Sequence, residues 1–227
     1  MDKKHIVVLT GAGISQESGI KTFRDSNGLW ENHDIMEVAS PQGFQQNPAL
    51  VLDFYNQRRK QLKEVEPNEA HKLLAALEDQ YKVTVITQNV DDLHERAGSS
   101  HIIHLHGELK KMRSVKNDNV FFDIEEDIKH GDLAEDGGQL RPHIVWFGEA
   151  VPEMERAIEL TLTADIFIVI GTSMQVYPAA SLIDYVPINS TIYIVDPQPV
   201  PITLTSNMEH IQEKAVAGAK ILKDKLL

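Results

Sequence analysis

After Asp165, residues 165–170 (DIFIVI) contain no polar side chain, and this constrains the fold more than any other stretch. A strand without alternation has no face for water, so it must be covered on both sides, as inner strands of parallel sheets are. Residues 5–10, HIVVLT, read as a second buried strand. Shorter β-branched runs at Val83–Thr87, His101–Leu105 and 191–196 (TIYIVD) extend the set, and His143–Phe147 is a further candidate. Helical stretches fall between them. Residues 35–65 carry an apolar stripe through Val51, Leu52, Phe54, Tyr55 and Leu62, with Pro48 suited to a first turn. Glu69–Gln80 places Leu73, Leu74 and Leu77 on one side, and Glu209–Leu226 reads as a closing helix. This alternation predicts an α/β fold around a parallel sheet.

The strands end in chemistry. HIVVLT runs into Gly11-Ala12-Gly13-Ile14-Ser15, and DIFIVI into Gly171-Thr172-Ser173. Small-residue turns at the carboxyl ends of parallel strands form a ligand edge, and a glycine turn opening a helix aims backbone N–H groups at phosphate. The first loop departs from the dinucleotide fingerprint, because Gln16 occupies the third glycine's place and no acidic residue closes a second strand. Taken alone, a tight turn explains it equally well. Gln88, Asn89 and Asp91 follow the strand at 83–87, and His106-Gly107 follows the one at 101–105. A histidine there suits general base work, but a capped loop with a surface histidine fits the same residues. His101, His104 and His106 do not read as a metal cluster, since alternate strand residues face opposite ways and no HExxH helix or cysteine completes a site.

At 227 residues the chain suits one large domain, or one with a small insert. Its net charge of −12 disfavours a nucleic-acid backbone as partner and suits basic, lysine-bearing ligands. With no cysteine, disulfides and a cysteine nucleophile are excluded. The apolar run in MDKKHIVVLTGAG is too short for a signal peptide, and no segment approaches the ~20 apolar residues of a membrane span. These features predict a cytoplasmic protein with no membrane partner. Between Ser18 and Trp30 lies an irregular stretch with Phe23, Arg24, Leu29 and Trp30, of the kind that covers a ligand.

Read together, GAGISQESGIKTFRDSNGLW, PNEAH at 67–71, TQNVDDLH at 87–94, HGEL at 106–109, RPHIVWFGE at 141–149 and GTSMQVYPAA at 171–180 resemble the sirtuin family, the NAD-dependent protein-lysine deacylases. The motifs stand in the family's order over nearly the whole chain. The resemblance implies a Rossmann-like NAD-binding domain of residues 1–30, 72–108 and 142–227, with a small domain of two inserts, 31–71 and 109–141. It implies that Gly11 and the backbone of Ala12, Gly13 and Ile14 hold the phosphates of NAD with Arg24 nearby, and that Phe23 covers the nicotinamide ribose. Asp91 and the Val90 backbone bind the carboxamide; Gly171, Thr172, Ser173, Asp196 and Ala215 complete the cofactor site. Asp196 stands where the family usually has asparagine, and a carboxylate accepting from the ribose hydroxyls favours NAD over NADP.

By the same resemblance, the acyl oxygen attacks the ribose carbon as nicotinamide leaves. His106 serves as base on the ribose hydroxyls, while Asn89 and Gln88 orient ribose and water. The products are lysine, nicotinamide and O-acyl-ADP-ribose, and the partners are acyl-lysine proteins or peptides. Val145, Phe147 and Gly148 on one side, with Val176 and Tyr177 on the other, take the peptide as an added strand. Tyr55 and Arg58 lie three apart, on one helical face, and a guanidinium beside a phenol suits a carboxylate. Read without the resemblance, a core tyrosine and a solvated arginine fit as well. In family members that remove succinyl, malonyl or glutaryl groups, a Tyr-x-x-Arg pair at this place sets selectivity, so the chain resembles the class III branch.

The resemblance fails over 110–140. Most sirtuins hold a structural zinc there with two CxxC pairs, and Ser114, Asn117, Leu133 and Asp136 stand where those cysteines fall. The expectation is a zinc-less remnant held by apolar packing through Val120, Phe121, Phe122 and Ile128. The acidic residues Asp123, Glu125, Glu126 and Asp127 are expected to form a solvated face rather than a cation site. Three rival functions share these residues: a mono-ADP-ribosyltransferase, a non-catalytic NAD-sensing module, and a Rossmann oxidoreductase.

Overall fold

A computed structural model describes residues 3–21, 29–30 and 33–227. In chain order it runs β1 (His5–Thr10), α1 (Ala12–Gln16), β2 (Leu29–Trp30), β3 (His33–Asp34), α2 (Ile35–Val38), α3 (Pro41–Gln46), α4 (Pro48–Gln61) and α5 (Glu69–Ala76). The middle contributes β4 (Lys82–Thr87), α6 (Leu93–Ala97), β5 (Ile102–His104), β6 (Gly107–Ser114), β7 (Asn117–Asp123) and β8 (Leu140–Ile144). The last third adds α7 (Met154–Thr161), β9 (Ile166–Ile170), β10 (Thr191–Val195), β11 (Met208–Ile211) and α8 (Ala215–Leu226).

Six strands form one sheet in the order β11-β10-β9-β1-β4-β5, with every neighbouring pair parallel. The absence of alternation in HIVVLT has a direct structural counterpart. Ile6 and Val8 enter the core beneath α5 and α8 with Leu74, Ala219 and Leu222, whereas Val7 and Leu9 enter the opposite core with Phe167, Ala157 and Leu182. Successive residues therefore fill two separate cores, which is the strand period of two with both faces apolar. This is the Rossmann-like α/β architecture, and the sheet order reverses at β1, so the ends of β1, β4 and β9 meet at a switch point.

Three expectations shift. Residues 35–65 form α2, α3 and α4 rather than one helix: Ser40 and Asn47 cap the second and third, accepting from Gly43 N and Leu50 N, and each is followed by a proline. A residue before proline resists helical geometry, so the chain turns at both. The closing helix starts at Ala215, not Glu209, because Met208–Ile211 pairs with β10 as a sixth strand and buries Ile211. The strand expected at His143–Phe147 lies at Leu140–Ile144; beyond it Val145 N donates to His106 O at 2.9 Å and Phe147 N to Ala39 O at 2.9 Å, drawing the backbone out of the sheet.

A second, antiparallel sheet, β7-β6-β8, stands apart from the parallel one. Apolar packing through Val120, Phe121 and Phe122 is not what holds it. All three are exposed, Phe121 at 46% and Phe122 at 48%, because β7 is an edge strand. Among the described residues Phe121 makes ring contacts only with His143 at 4.4 Å and Lys111 Nζ at 5.1 Å, and Ile128 alone of the four is buried. Polar side chains from α4 hold the segment instead. Asn56 donates to Ile128 O at 2.9 Å and accepts from Ile128 N at 3.0 Å, and Arg59 donates to Leu109 O at 2.8 Å and Glu126 O at 3.1 Å. At its far end Ser114 Oγ donates to Asp136 Oδ1 at 2.8 Å, and Gly138 N donates to the same oxygen. Two of the four positions where cysteines would fall are thus joined by a hydrogen bond. The acidic stretch is a solvated face, with Asp127 paired to Lys60 and Glu125 to Lys110.

Candidate active site at the carboxyl edge of the sheet

Backbone groups of two glycine turns bind each other across the sheet edge. Gly11 N donates to Ile170 O at 3.1 Å and Gly13 N to Gly171 O at 2.8 Å. The approach leaves no room for a side chain: a Cβ on Gly13 would lie 2.7 Å from Gly171 Cα, and one on Gly11 2.7 Å from Thr172 Cβ. Gly171 has φ +66, where an L side chain is strained. Ile14 N donates to Gly11 O, so the amides of Gly13 and Ile14 are both engaged within the protein, and α1 is a five-residue turn rather than a long phosphate helix.

Gln88, Asn89 and Asp91 follow β4 and are fastened to these turns. Gln88 Nε2 donates to Thr172 Oγ1 at 3.0 Å; Asn89 Nδ2 donates to Gly11 O and to Ser15 Oγ, each at 3.1 Å. Ser15 Oγ donates to Asp91 Oδ2 at 3.0 Å, and Leu93 N to the other carboxylate oxygen. Ser15 thus joins Asn89 to Asp91, a role the sequence reading missed; its place one helical turn into GAGIS, facing the sheet, is the available signal. Burial pushes the Asp91 carboxyl up to about 6, although its two hydrogen bonds pull the other way. The Val90 carbonyl accepts from Leu109 N, so its orientation is set by β6.

His106 lies just beyond β5, with Nδ1 3.0 Å from Gln88 O. A carbonyl oxygen only accepts, so Nδ1 carries the proton and Nε2 keeps its lone pair. Burial lowers the imidazole below its ordinary value, partly offset by the Gln88 bond, so Nε2 is free to take a proton at neutral pH. His104 differs: Nδ1 faces Asn89 O at 3.1 Å and Nε2 faces Glu95 Oε1 at 2.7 Å. Both partners are acceptors, so both nitrogens are protonated; burial opposes that charge, and the Glu95 carboxylate more than offsets it. Two histidines bonded to successive carbonyls of one loop therefore carry different charges.

A cleft of about 210 Å³ is lined by Thr172, Ser173, Gln175, Asp196 and Gln198 among others. Asp196 is buried and accepts from Gln198 N at 2.8 Å. Ala215 is buried at the start of α8 and does not line this cleft. Val145 is half-buried and fastened to His106 O, while Phe147, Gly148, Val176 and Tyr177 are exposed, Tyr177 at 73%. Tyr55 is fully buried and accepts from Trp146 Nε1 at 3.0 Å; Arg58 is half-buried, its guanidinium carbon 4.7 Å from the Phe54 ring centroid. Phe23 and Arg24 lie outside the described residues. A further network missed in the sequence centres on Glu149, which takes Arg141 through both oxygens, at 2.6 and 3.1 Å, and accepts from Trp146 N at 2.8 Å. Among the described residues no helix is long and apolar enough to cross a membrane.

Comparison with known proteins agrees with this geometry. The model of the Sir2 family matches residues 11–178. An NAD-dependent protein deacylase of Helicobacter pylori (strain ATCC 700392 / 26695) is 59% identical over 224 residues, covering 99% of this chain and 98% of the relative. Among solved structures, a Sir2 homolog–NAD complex superposes with a TM-score of 0.86 at 40% identity, over 99% of this chain and 91% of that one. A Sir2–p53 peptide–NAD+ complex does so at 0.80 and 31%, over 98% and 93%. This chain therefore belongs to the Sir2 family.

Proposed function

We propose that the chain is an NAD-dependent protein-lysine deacylase that removes succinyl or malonyl groups, and also acetyl, giving nicotinamide and O-acyl-ADP-ribose. The observation that carries this is His106, whose Nδ1 proton is committed to Gln88 O while Nε2 keeps its lone pair, beside an Asn89–Ser15–Asp91 network clasped to the glycine turns. His106 Nε2 takes a proton from a ribose hydroxyl, and Asn89 and Gln88 hold ribose and water in place. Asp91, its carboxyl oxygens held by Ser15 and Leu93, meets the carboxamide together with the Val90 backbone.

The site fits NAD on its own geometry. Gly11, Gly13 and Gly171 let the two turns close on each other without a side chain between them, and the cleft at Thr172, Ser173 and Asp196 beside them suits an adenosine ribose. Gly11, Ala12, Gly13 and Ile14, with Phe23 and Arg24, then serve the phosphates and nicotinamide ribose. The Gly11, Gly13 and Ile14 amides must give up their bonds within the protein to donate there, and Ala215, which does not line the cleft, serves the adenosine end only from beneath it. Asp196 favours NAD over NADP. When bound, NAD supplies the ADP-ribosyl group with nicotinamide as leaving group. Val145, Phe147 and Gly148 on one side and Val176 and Tyr177 on the other receive the acyl-lysine peptide as a strand; the Val145 and Phe147 amides are already engaged, so pairing there falls to the carbonyls and to Gly148.

Tyr55 and Arg58 are read as the receptor for an acyl-chain carboxylate. Residues 31–71 and 109–141 form the small domain, without zinc; the Ser114–Asp136 hydrogen bond at two of the four cysteine positions supports that reading. A cytoplasmic site of action completes the proposal, with no nucleic-acid or membrane partner. The test is NAD-dependent nicotinamide release from matched peptides bearing succinyl- or acetyl-lysine, with His106→Tyr as blank. Faster turnover of the succinyl peptide is expected. Acetyl preference would remove the selectivity reading, and no turnover of either peptide would remove the enzyme.

A further inference from the structure

Asn89 is framed on every side but one. Its backbone N–H donates to Thr87 Oγ1 at 3.0 Å, its Nδ2 to Gly11 O and Ser15 Oγ, and its carbonyl accepts from His104 Nδ1 at 3.1 Å. Gly11 O only accepts, so the amide nitrogen lies at that end. Oδ1 is then the one polar atom of Asn89 with no partner among the described residues, and the site is offered an acceptor. The other anchors are hydroxyls and a carbonyl, which do not titrate near neutral pH; His104 does. Its side chain is 8% exposed, and Nε2 faces Glu95 Oε1 on α6 at 2.7 Å. A second carboxylate, Glu108 on β6, has an oxygen within 4.8 Å of a ring nitrogen and is itself bound by Lys111 Nζ at 2.6 Å. Asp91 in the loop and His94 on α6 also feel the charge on the ring. The two acceptors of His104 are unequal, because a carboxylate accepts more strongly than a peptide carbonyl. When the ring loses one proton to solvent, the proton that remains goes to Glu95, on Nε2. The Nδ1 lone pair then points at the Asn89 carbonyl, two acceptors face each other, and the anchor opens.

We infer that His104 is a pH-sensitive positioning residue for Asn89: charged, it bridges Glu95 to the Asn89 carbonyl and holds Oδ1 toward the site; neutral, it stays with Glu95 and releases Asn89. This rests on the reading of Asn89 as the residue that orients ribose and water. It also gives the two histidines at the end of β5 complementary tasks. His106 works only after losing its second proton, and His104 only while keeping both. Burial lowers the first. Burial opposes the charge on the second as well, but the Glu95 carboxylate more than offsets it, so the working window spans the ordinary imidazole value.

The experiment measures kcat and KM for NAD on the full chain, by nicotinamide release from a succinyl- or acetyl-lysine peptide, whichever turns over faster, from about pH 6 to about 9.5. Wild-type kcat/KM is expected to fall about three- to tenfold along an alkaline limb above the ordinary histidine value. Glu95→Gln is expected to lose that limb and to keep its neutral-pH rate to within about threefold, because a glutamine amide donates to a neutral Nε2 and leaves the remaining proton on Nδ1 for Asn89. A purely structural Glu95 would instead slow the enzyme equally at every pH. His104→Phe, with no donor, should be slower by about three- to tenfold and show no alkaline limb. A limb unchanged in Glu95→Gln, or a flat wild-type profile, would overturn the inference. Asn89→Ala separates it from the reading beneath it: full turnover there removes the role of Asn89, whereas slow turnover beside an unchanged Glu95→Gln limb removes only that of His104. Should the chain release no nicotinamide, or His104→Phe fail to fold as judged by its thermal transition, ring 15N shifts of His104 in the free protein decide. Protons on both nitrogens at neutral pH, then on Nε2 alone above the transition, support the inference; a last proton on Nδ1 sinks it.

Discussion

The two sheets hold their loops by opposite means. At the carboxyl edge of the parallel sheet, backbone meets backbone: Gly13 N binds Gly171 O, Gly11 N binds Ile170 O and Gln88 N binds Thr10 O. The antiparallel sheet is held by side chains, with Asn56 on Ile128, Arg59 on Leu109 and Glu126, and Ser114 on Asp136. The first arrangement is sensitive to added volume and the second to the loss of particular polar atoms. A site that must receive a large cofactor without collapsing gains from backbone clasps, which present no side chain to move. A module whose β7 apolar residues are exposed has only the small core that Leu109 and Ile144 share with α4, and each buried polar pair carries a larger share of its order.

The sharpest test of the first half is Gly171→Val. Its side chain would meet the backbone of Gly13 and Ile14, at a φ of +66 that a β-branched residue resists. Left-handed strain of roughly 1–2 kcal/mol plus overpacking of about 1–3 kcal/mol predicts a large loss of stability and of NAD affinity together. Denaturant unfolding and NAD titration measure both, and wild-type values in either would break the clasp argument.

Asn56→Ala tests the second half. It removes both partners of Ile128 N and Ile128 O inside a buried contact, and one acceptor of Arg59. An orphaned buried polar group costs about 1–3 kcal/mol, so a net loss of roughly 2–4 kcal/mol is expected. Hydrogen exchange should show it concentrated in residues 109–141 and absent from β1 and β9; uniform loosening of the molecule would contradict the division.

Within the active site, pH separates the two carboxyl-edge groups. Asp91 has its carboxyl raised to about 6, so its protonated form stabilises the free protein at low pH, and this contribution is lost as pH rises from about 4 through about 6. With Asp91 accepting from the carboxamide N–H, as proposed, NAD binding favours the ionised form and gains over the same window. The affinity for NAD is therefore expected to fall up to about tenfold per unit below pH 6, while the free protein's stability moves the opposite way. Asp91→Asn should abolish both trends. The acid limb that remains belongs to His106, whose basicity burial has lowered, and no remaining limb would argue against His106 as the base.

How much of this was legible in the sequence follows the same division. The parallel sheet was readable because Ile166–Ile170 and His5–Thr10 are apolar on both faces, a local property that forces a global position. Gln88, Asn89, Asp91 and His106 were readable as candidates, since strand ends are where ligands meet such sheets. That His106 and not His104 is neutral was not readable: it depends on whether the second ring nitrogen meets a carboxylate from α6, nine residues away in the chain. Glu209–Ile211 was misread as the start of the closing helix because a four-residue strand carries too little period, and only the open edge of β10 makes it a strand. The polar struts of the antiparallel sheet were invisible for the same reason, as Asn56 and Ile128 lie 72 residues apart.

The smallest effect expected is at the residue that hydrophobicity alone would rank highest in that module. Phe122 lies on β7, every residue of which is exposed, and Phe122 itself is 48% exposed. If the antiparallel sheet is held by polar struts, Phe122→Ser changes stability by no more than about 0.5 kcal/mol, the range of ordinary surface substitutions. Asp136→Ala, which keeps every apolar contact and removes the acceptor of Ser114 Oγ and Gly138 N, should cost more, about 1–2 kcal/mol. Measured side by side in urea, these two variants rank apolar edge against polar clasp directly. The reverse order would mean that β7 buries its phenylalanines in solution, and the contrast between the two sheets would then be one of degree only.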